Sequence, residues 1–294
     1  MVENRLEKLL TKAIRNKATD IHLHFTQNTQ SLSFRTLQGI QKEESALIDE
    51  GLYQYLKYLA NLDLASTMVP QSGSFMYVVD DFQYFFRFSA LETIFIKSGV
   101  IRILNLSPLN SLEDLGEPLA LIEQIRHKLN QRSGLVLFSG LTGSGKTTTM
   151  FMALSELENR SIYTVEDPIE THYDQLMQAQ INRKTGLDYE AIIKQLLRHD
   201  PDLLVIGEVR SEVEAKALIR ATLSGHLVCT TIHASNLKTT LARLLDFNIS
   251  AHELSMMDIT IFYQELRVKD AVRYAHFKIM ENDEIQNFLK PHHR

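Results

Sequence analysis

The sequence predicts an α/β protein with a mainly parallel sheet, preceded by a smaller α+β domain. After about residue 118, helical segments alternate with short apolar runs at 135–139, 203–206 and 227–232. These runs lack the polar–apolar alternation of half-exposed strands, so they are typical of strands covered on both faces of a parallel sheet. Residues before about 107 instead combine helical segments with short strands rich in aromatic and β-branched residues.

The α+β region begins with an amphipathic helix. Acids and bases separate its apolar residues, which distinguishes it from a signal peptide; the apolar residues at helical spacing are Leu6, Leu9, Leu10, Ala13 and Ile14. A second helix is predicted over 47–64, and strands over 21–26, 31–37, 73–79, 82–91 and 100–106. Asp80 and Asp81 indicate a turn. One face of the strand that follows is predicted to be core, because its aromatic residues alternate: Phe82, Tyr84, Phe86 and Phe88.

Residues 107–118 carry both Pro and Gly between two periodic segments, and they predict a linker. The linker would divide the chain into a domain of residues 1–106 and a domain of residues 119–294. In the second domain, helices are predicted over 119–129, 146–158, 189–198 and 213–223, and a further strand over 162–165. The last sixty residues are predicted to be helical to about Leu266, with a hairpin of 271–280 and 284–289 after that.

Composition excludes several classes of protein. The chain of 294 residues has a net charge of −5 and no long basic run, which argues against broad electrostatic binding of nucleic acid. The single cysteine, Cys229, cannot form an internal disulfide or a thiolate zinc cluster and fits a reducing compartment. No apolar run approaches 18 residues, so no membrane span is expected. The prediction is a cytoplasmic protein that reaches a membrane surface only through a partner.

Residues 140–147, GLTGSGKT, match the phosphate-binding pattern G-x-x-x-x-G-K-[ST] in full. Apolar residues precede the match and a run without Gly or Pro follows it, which is the strand–loop–helix context that the pattern needs. Glycines let backbone N–H groups surround phosphate oxygens, Lys146 can reach the β- and γ-phosphates, and the Thr147 hydroxyl can bind Mg²⁺. The alternative is a glycine-rich turn that binds nothing. The predicted nucleotide-binding residues are Thr142, Gly143, Ser144, Gly145, Lys146, Thr147 and Thr148.

Acidic and imidazole side chains stand at the ends of the predicted parallel strands. Glu166 follows the strand over 162–165, Glu208 follows the strand over 203–206, and His233 follows the strand over 227–232, before which His226 stands. Ligands of open parallel sheets bind outside the carboxyl ends of the strands, so these groups are candidates for phosphoryl transfer to water. Each has a plain alternative: a turn cap for Glu166, a structural acid for Glu208, and ordinary hydrogen-bonded histidines. His22 and His24 alternate on one strand, but without acids or cysteines nearby we interpret them as non-metal residues.

At this point the motifs resemble those of the secretion and pilus ATPases of type II secretion and type IV pilus assembly. Besides the phosphate loop with its triple threonine, the chain carries an acidic box (YTVEDPIE, 163–170), a Walker B region (LRHDPDLLVIGEVR, 197–210) and a histidine box (224–233). Most P-loop hydrolases have an acid at the position of Gly207. The absence of that acid here agrees with this family. Residues 243–246 and 264–266 resemble its C-terminal segments, and residues 19–22 resemble the start of its PAS-like domain.

The resemblance implies a RecA-like P-loop ATPase domain after a PAS-like domain. It implies a homo-hexamer that binds ATP and Mg²⁺, with Thr147 and Glu208 at the metal, the latter partly through water. Glu166, Glu208, His233 and His226 would be catalytic, as would Arg87 and Arg102, whose contexts in the family reach the γ-phosphate when the N-terminal domain closes. The alternative for the arginines is an ion pair on the sheet. The implied partners are a polytopic inner-membrane platform protein and, indirectly, pseudopilins, with no direct sequence-specific nucleic-acid binding.

Two absences narrow the resemblance. The chain starts at the PAS-like domain, without the additional N-terminal domain of larger assembly ATPases, and one cysteine cannot supply their four-cysteine zinc insert, so no zinc is expected. This form resembles the competence pseudopilus ATPase of Gram-positive bacteria, which helps to take up DNA. Retraction ATPases are also short, but we find no Ala-Ile-Arg-Asn-like signature near the C-terminus. A retraction motor and a nucleotide-regulated scaffold without turnover remain alternatives, and a small-molecule kinase is a weaker one.

Overall fold

The computed structural model describes residues 2–36, 38–65, 68–104, 111–169, 171–182, 186–269 and 272–290. The chain divides into two compact units. The first comprises Met1–Pro108 with Pro168–His172, and the second comprises Leu109–Asp167 with Tyr173–Arg294. Within the described ranges, no helix combines the length and apolar composition that crossing a membrane requires.

The first unit is an antiparallel sheet with two helices. Its described strands are β1 (Asp20–Thr26), β2 (Gln30–Thr36), β3 (Gly39–Glu43), β4 (Gln71–Val79), β5 (Phe82–Glu92) and β6 (Ile96–Ile103), in the order β3-β2-β1-β6-β5-β4. The helices are α1 (Val2–Arg15) and α2 (Glu50–Leu59), with a short 3-10 helix at Ser45–Leu47. Whether this unit is PAS-like stays a prediction.

The core of the first unit follows from the two periodicities in the sequence. Leu6, Leu9 and Leu10 of α1 are fully buried, as the amphipathic pattern predicts. Phe86 and Phe88 of β5 are also fully buried, because alternate residues of a strand share one face. The prediction fails for Phe82, which is 68% exposed beside the turn. The turn itself is confirmed, since Asp80 and Asp81 both adopt positive φ.

The second unit is a mainly parallel sheet covered on both faces. Its described strands are β7 (Gly134–Gly140), β8 (Ile162–Glu166), β9 (Met177–Gln180), β10 (Leu203–Val209), β11 (Leu227–His233), β12 (Ile259–Lys269) and β13 (Val272–Met280), in the order β13-β12-β7-β11-β10-β8-β9. All neighbours are parallel except β12 and β13. The predicted α/β fold class is confirmed.

Helices lie on both faces of this sheet. They are α3 (Leu119–Leu129), α4 (Lys146–Ser155), α5 (Tyr189–Leu196), α6 (Glu212–Leu223), α7 (Leu237–Asp246), α8 (Ala251–Ser255) and α9 (Asn282–Leu289). Successive residues of β7 point to opposite faces, so Leu135 and Leu137 pack in one core and Val136 and Phe138 in the other. α3 and α4 cover the second of these cores and α5 to α9 the first. This double covering explains the continuous apolar runs in the sequence.

Several predicted elements differ from the observed ones. The segment predicted to be helical to Leu266 contains β12, a buried central strand, and residues 284–289 form α9 instead of a hairpin arm. An apolar run that is buried all round has no periodicity to separate a strand from a helix. The sequence analysis also missed β3 and β9, which are short, mostly polar strands.

The predicted linker is partly packed. Residues 107–110 lie outside the described residues, but Leu112–Leu115 form a 3-10 helix whose two leucines are buried in a core of the second unit. Gly116, with φ 76°, ends this helix in the left-handed conformation that a glycine adopts most readily. The domain limits 1–106 and 119–294 stay a prediction.

Candidate nucleotide-binding site

The predicted phosphate loop connects β7 to α4, and its glycines have the backbone that the motif needs. Gly143 (φ 77°) has nothing within 4 Å of the place where a Cβ would stand, so the space above the loop is open to a ligand. Gly145 (φ 84°) precedes α4, and a Cβ there would lie 2.9 Å from Nε2 of Gln264. The left-handed conformation at position 145 therefore favours glycine.

The loop presents groups that suit an anion. Lys146 begins α4 with only 5% of its surface exposed, at the helix end where backbone N–H groups and the helix dipole favour an anion. Thr147 is half-buried and Thr148 is exposed in the same turn. The hydroxyl of Ser144 is buried and has no hydrogen-bond partner among the described residues. These donors fit a triphosphate, and the Thr147 hydroxyl is placed in the turn from which P-loop proteins bind Mg²⁺.

Glu208, His233 and Lys146 form a chain of contacts across neighbouring strands. His233 Nε2 lies 2.7 Å from Oε1 of Glu208, and His233 Nδ1 lies 3.4 Å from Nζ of Lys146. Burial and the charge of Lys146 lower the pKa of His233, against the opposing effect of Glu208. The imidazole is therefore neutral at pH 7. Arg210 donates from Nε to the other carboxylate oxygen of Glu208 at 2.8 Å.

Glu166 lies at the end of β8, one strand beyond Glu208. Its carboxylate is buried and accepts hydrogen bonds from the Thr164 hydroxyl (2.6 Å) and from Nε2 of Gln178 (3.0 Å). Gly207 makes room for it, since a Cβ at 207 would lie 3.2 Å from Cγ of Glu166. The glycine in place of the usual acid thus lets a carboxylate from the neighbouring strand occupy that space. Burial and the charge of Glu166 together raise the pKa of Tyr173 to about 12.

The structure does not bring His226 to this cluster within the chain, and a catalytic role for His226 stays a prediction. His226 precedes β11 and its carbonyl accepts a hydrogen bond from Gly134 at the start of β7, whereas His233 pairs with Gly140 at the end of β7. The first and last residues of parallel strands lie at opposite edges of a sheet. His226 therefore lies at the edge away from the phosphate loop.

The predicted arginines lie on the sheet of the first unit. Arg102 of β6 donates from Nε to the buried Asp20 of β1 at 2.8 Å, while most of its side chain is exposed. Arg87 of β5 stands directly opposite Arg102 in the strand register. The ion-pair alternative therefore holds for Arg102 in this structure. A role for either arginine at the phosphates stays a prediction.

Sequence reasoning assigned no role to two residues that border the loop. Gln264 of β12 is buried, its backbone oxygen lies 2.4 Å from the place of a Cβ on Gly140, and its amide lies beside Gly145. Arg243 of α7 lines a cavity that it shares with Thr142 and His233. Both were noted only as parts of C-terminal segments. No local sequence pattern indicates these two residues, because only tertiary packing brings β12 and α7 close to the loop.

One known protein family matches nearly the whole chain. The family described as Type II/IV secretion system protein matches residues 1–291. The chain is a member of this family. The predicted resemblance to secretion and pilus proteins is thereby confirmed, and it rests on both units.

Relatives in the family are similar along most of this chain. It is 33% identical over 274 residues to competence protein ComGA of Bacillus subtilis, covering 90% of this chain and 76% of the relative. It is 34% identical over 271 residues to competence protein ComGA of Halalkalibacterium halodurans, covering 90% and 78%. Type II secretion system protein E of Klebsiella pneumoniae is 32% identical over 267 residues, and the chain spans about half (54%) of its length.

Solved structures with the same fold include members of secretion and pilus systems. The ATPase DotB of Legionella pneumophila superposes with a TM-score of 0.75 at 21% identity, covering 97% of this chain and 83% of that one. The pilus retraction motor PilT with bound ADP superposes with a TM-score of 0.72 at 22% identity, covering 97% and 87%. At these identities the two structures support the fold.

Proposed function

We propose that the protein is an Mg²⁺-dependent ATPase motor that drives assembly of a competence pseudopilus for DNA uptake. The observation that carries the proposal is the contact chain from Lys146 through His233 to Glu208 at the open phosphate loop. Family membership and the competence relatives support a role in a competence or secretion system. The protein would act as a homo-hexamer in the cytoplasm, docked on a polytopic inner-membrane platform protein and acting indirectly on pseudopilins.

The residues of the loop would bind and orient the triphosphate. Backbone N–H groups of 143–148 surround the phosphates, and Lys146 stabilises the negative charge that grows on the γ-phosphate oxygens. Thr147, with Glu208 through water, would hold Mg²⁺, which supplies further charge neutralisation when it is bound.

Glu208 would position the attacking water. Its carboxylate is held from two sides, by His233 and by Arg210, so that it presents a fixed acceptor. The neutral His233 contacts Lys146 without adding a positive charge that would repel the ammonium. The buried Glu166 provides a second negative group one strand away, fixed by Thr164 and Gln178. Fixed dipoles and charges of this kind need no reorganisation during the reaction.

The decisive variant is Lys146→Ala. We expect ATP hydrolysis to be abolished and nucleotide binding to weaken, because a charge-assisted contact is worth about 1.5–3 kcal/mol, or about 10- to 100-fold in affinity. Lys194→Ala, which removes an exposed lysine from α5, is the matched control. Normal turnover by Lys146→Ala would show that the catalytic site is elsewhere. A wild type that binds Mg-ATP but never hydrolyses it would favour the scaffold without turnover.

The direction of the work is tested in the cell. Deletion of the gene should abolish both DNA uptake and assembled pseudopili, and the wild-type gene but not the Lys146→Ala gene should restore them. A retraction motor gives the opposite result for filaments, since they would accumulate in the deletion strain.

A further inference from the structure

A cavity of about 500 Å³ lies beside the phosphate loop, within the second unit. Its polar lining comes from the loop (Thr142), from the end of β11 and the residues after it (His233 and Ser235), and from one face of α7 (Thr239, Arg243 and Asp246). The proposed function uses Lys146 and the loop backbone for the phosphates of ATP. The proposed function assigns no ligand to this cavity.

Arg243 is a cation without an acidic partner in this cavity. Its Nε is buried and has no hydrogen-bond partner among the described residues. The guanidinium instead lies over the ring of Phe247, 5.2 Å from the centroid. Asp246 lines the same cavity, and no ion pair between Arg243 and Asp246 occurs among the described residues. A half-buried guanidinium that lacks a carboxylate is costly unless an anionic ligand binds it.

The position of the cavity limits the identity of that anion. Thr142 and His233 belong both to the cavity and to the candidate nucleotide site, and their side chains lie 3.5 Å apart, between Thr142 Oγ1 and His233 Nδ1. His233 in turn contacts Lys146 and Glu208. The cavity therefore adjoins the place of the γ-phosphate. The hydroxyls of Thr142 and Ser235 add short donors, which suit a small tetrahedral oxyanion better than a flat or apolar ligand.

We propose that this cavity is a second anion site, which holds inorganic phosphate, with Arg243 as its main ligand. The inference rests on the proposed function, because hydrolysis of the γ-phosphoryl group produces phosphate next to the cavity. Phosphate in the cavity is separated from ADP by Thr142 and His233.

The test measures phosphate binding without turnover. The full-length protein is saturated with Mg²⁺ and a non-hydrolysable ATP analogue, which occupies the γ-phosphate position, and is dialysed to equilibrium against radiolabelled inorganic phosphate at constant ionic strength. We expect the wild type to bind phosphate and Arg243→Gln to bind it about 10- to 100-fold more weakly, the usual scale for a charge-assisted hydrogen bond. Arg243→Lys should recover part of the affinity, because the charge is kept but the bidentate geometry is lost.

The control is Arg220→Gln, which removes an exposed arginine of α6 that pairs with Glu190 and should leave phosphate binding unchanged. Melting temperatures confirm that each variant is folded. Equal phosphate binding by wild type and Arg243→Gln, or no phosphate binding by the wild type, overturns the second site. Binding of the analogue in the same dialysis tests the proposed function separately, and phosphate binding to the nucleotide-free protein still compares the variants if the analogue does not bind.

Discussion

The carboxylates of Glu208 and Glu166 differ in their exposure and in their partners. Glu208 is partly exposed and lies between His233 and Arg210, whereas Glu166 is buried and receives two neutral hydrogen bonds. A partly exposed, ion-paired acid can face a water molecule. The buried Glu166, held by Thr164 and Gln178, is shielded from solvent water. We infer that Glu208 acts on water and that Glu166 completes the negative environment for the metal.

Substitution of each acid by its amide separates binding from chemistry. Glu208→Gln and Glu166→Gln keep the size of the side chain and remove its charge, so both should bind Mg-ATP and hydrolyse it at least about 100-fold more slowly. Glu190→Gln, which neutralises an exposed acid of α5, is the control. Turnover is measured with saturating ATP, and binding is measured by calorimetry. Wild-type rates in both amide variants would mean that water is activated by another group.

At the scale of single residues, the sequence predicts those site residues that belong to a motif or follow a strand. Lys146 belongs to a motif, and Glu208 and His233 follow apolar runs, so their meeting could be predicted from the parallel sheet alone. His226 precedes the same strand, and only the direction of β11 shows that it lies at the other edge. Arg243 and Gln264 could not be predicted, because their contacts depend on how α7 and β12 pack.

Among the elements, the junction between β10 and α6 is held by reciprocal capping hydrogen bonds. Glu208 lies near the end of β10, Arg210 follows the strand directly, and Ser211 caps the start of α6. The Ser211 hydroxyl accepts from the N–H of Val213, and the N–H of Ser211 donates to Glu214 at 2.8 Å. This reciprocal capping fixes the helix start and therefore the chain direction beyond Glu208.

Ser211→Ala should destabilise the protein through the loss of this cap. The expected cost is about 1 kcal/mol, which lowers the melting temperature by about 2–4 °C in a unit of this size. Turnover should fall less than in Glu208→Gln, since the catalytic acid is retained. Ser224→Ala, at the other end of α6, is the control and should change the melting temperature by less. Thermal unfolding followed by circular dichroism measures both. A larger effect of Ser224→Ala than of Ser211→Ala would contradict the assignment.

At the scale of the whole molecule, the sheet of the first unit carries a row of charged side chains on neighbouring strands. Asp20 stands in register with Arg35 on β2 and with Arg102 on β6, and Arg102 stands opposite Arg87 on β5. Three arginines thus share one row with a single acid. Like charges directly opposite each other destabilise a sheet, and the ion pair of the buried Asp20 involves only Arg102, whose side chain is mostly exposed. An anion brought to this row would offset the repulsion between the opposed arginines.

The last prediction is that this anion is the γ-phosphate bound by a neighbouring subunit. Arg102→Ala should lower turnover and leave ATP binding nearly unchanged, because an arginine that stabilises the transition state contributes about 10³- to 10⁵-fold in rate. Lys146→Ala should be inactive for a different reason, the loss of phosphate binding. Neither variant alone can then form a complete site.

Mixing the two variants distinguishes action between subunits from action within one chain. In a ring of randomly mixed subunits at equal amounts, about one quarter of the sites combine an intact Lys146 with an intact Arg102 from the neighbour, so about one quarter of wild-type turnover should return. Arg15→Ala mixed with Lys146→Ala is the control, since Arg15 is an exposed arginine of the same unit that pairs with Asp80. If Arg102 acts within its own chain, every mixed site lacks one of the two groups and the mixture stays inactive. If Arg102→Ala alone has full activity, the row binds no transition-state phosphate, and the ion pair with Asp20 is the whole of its role.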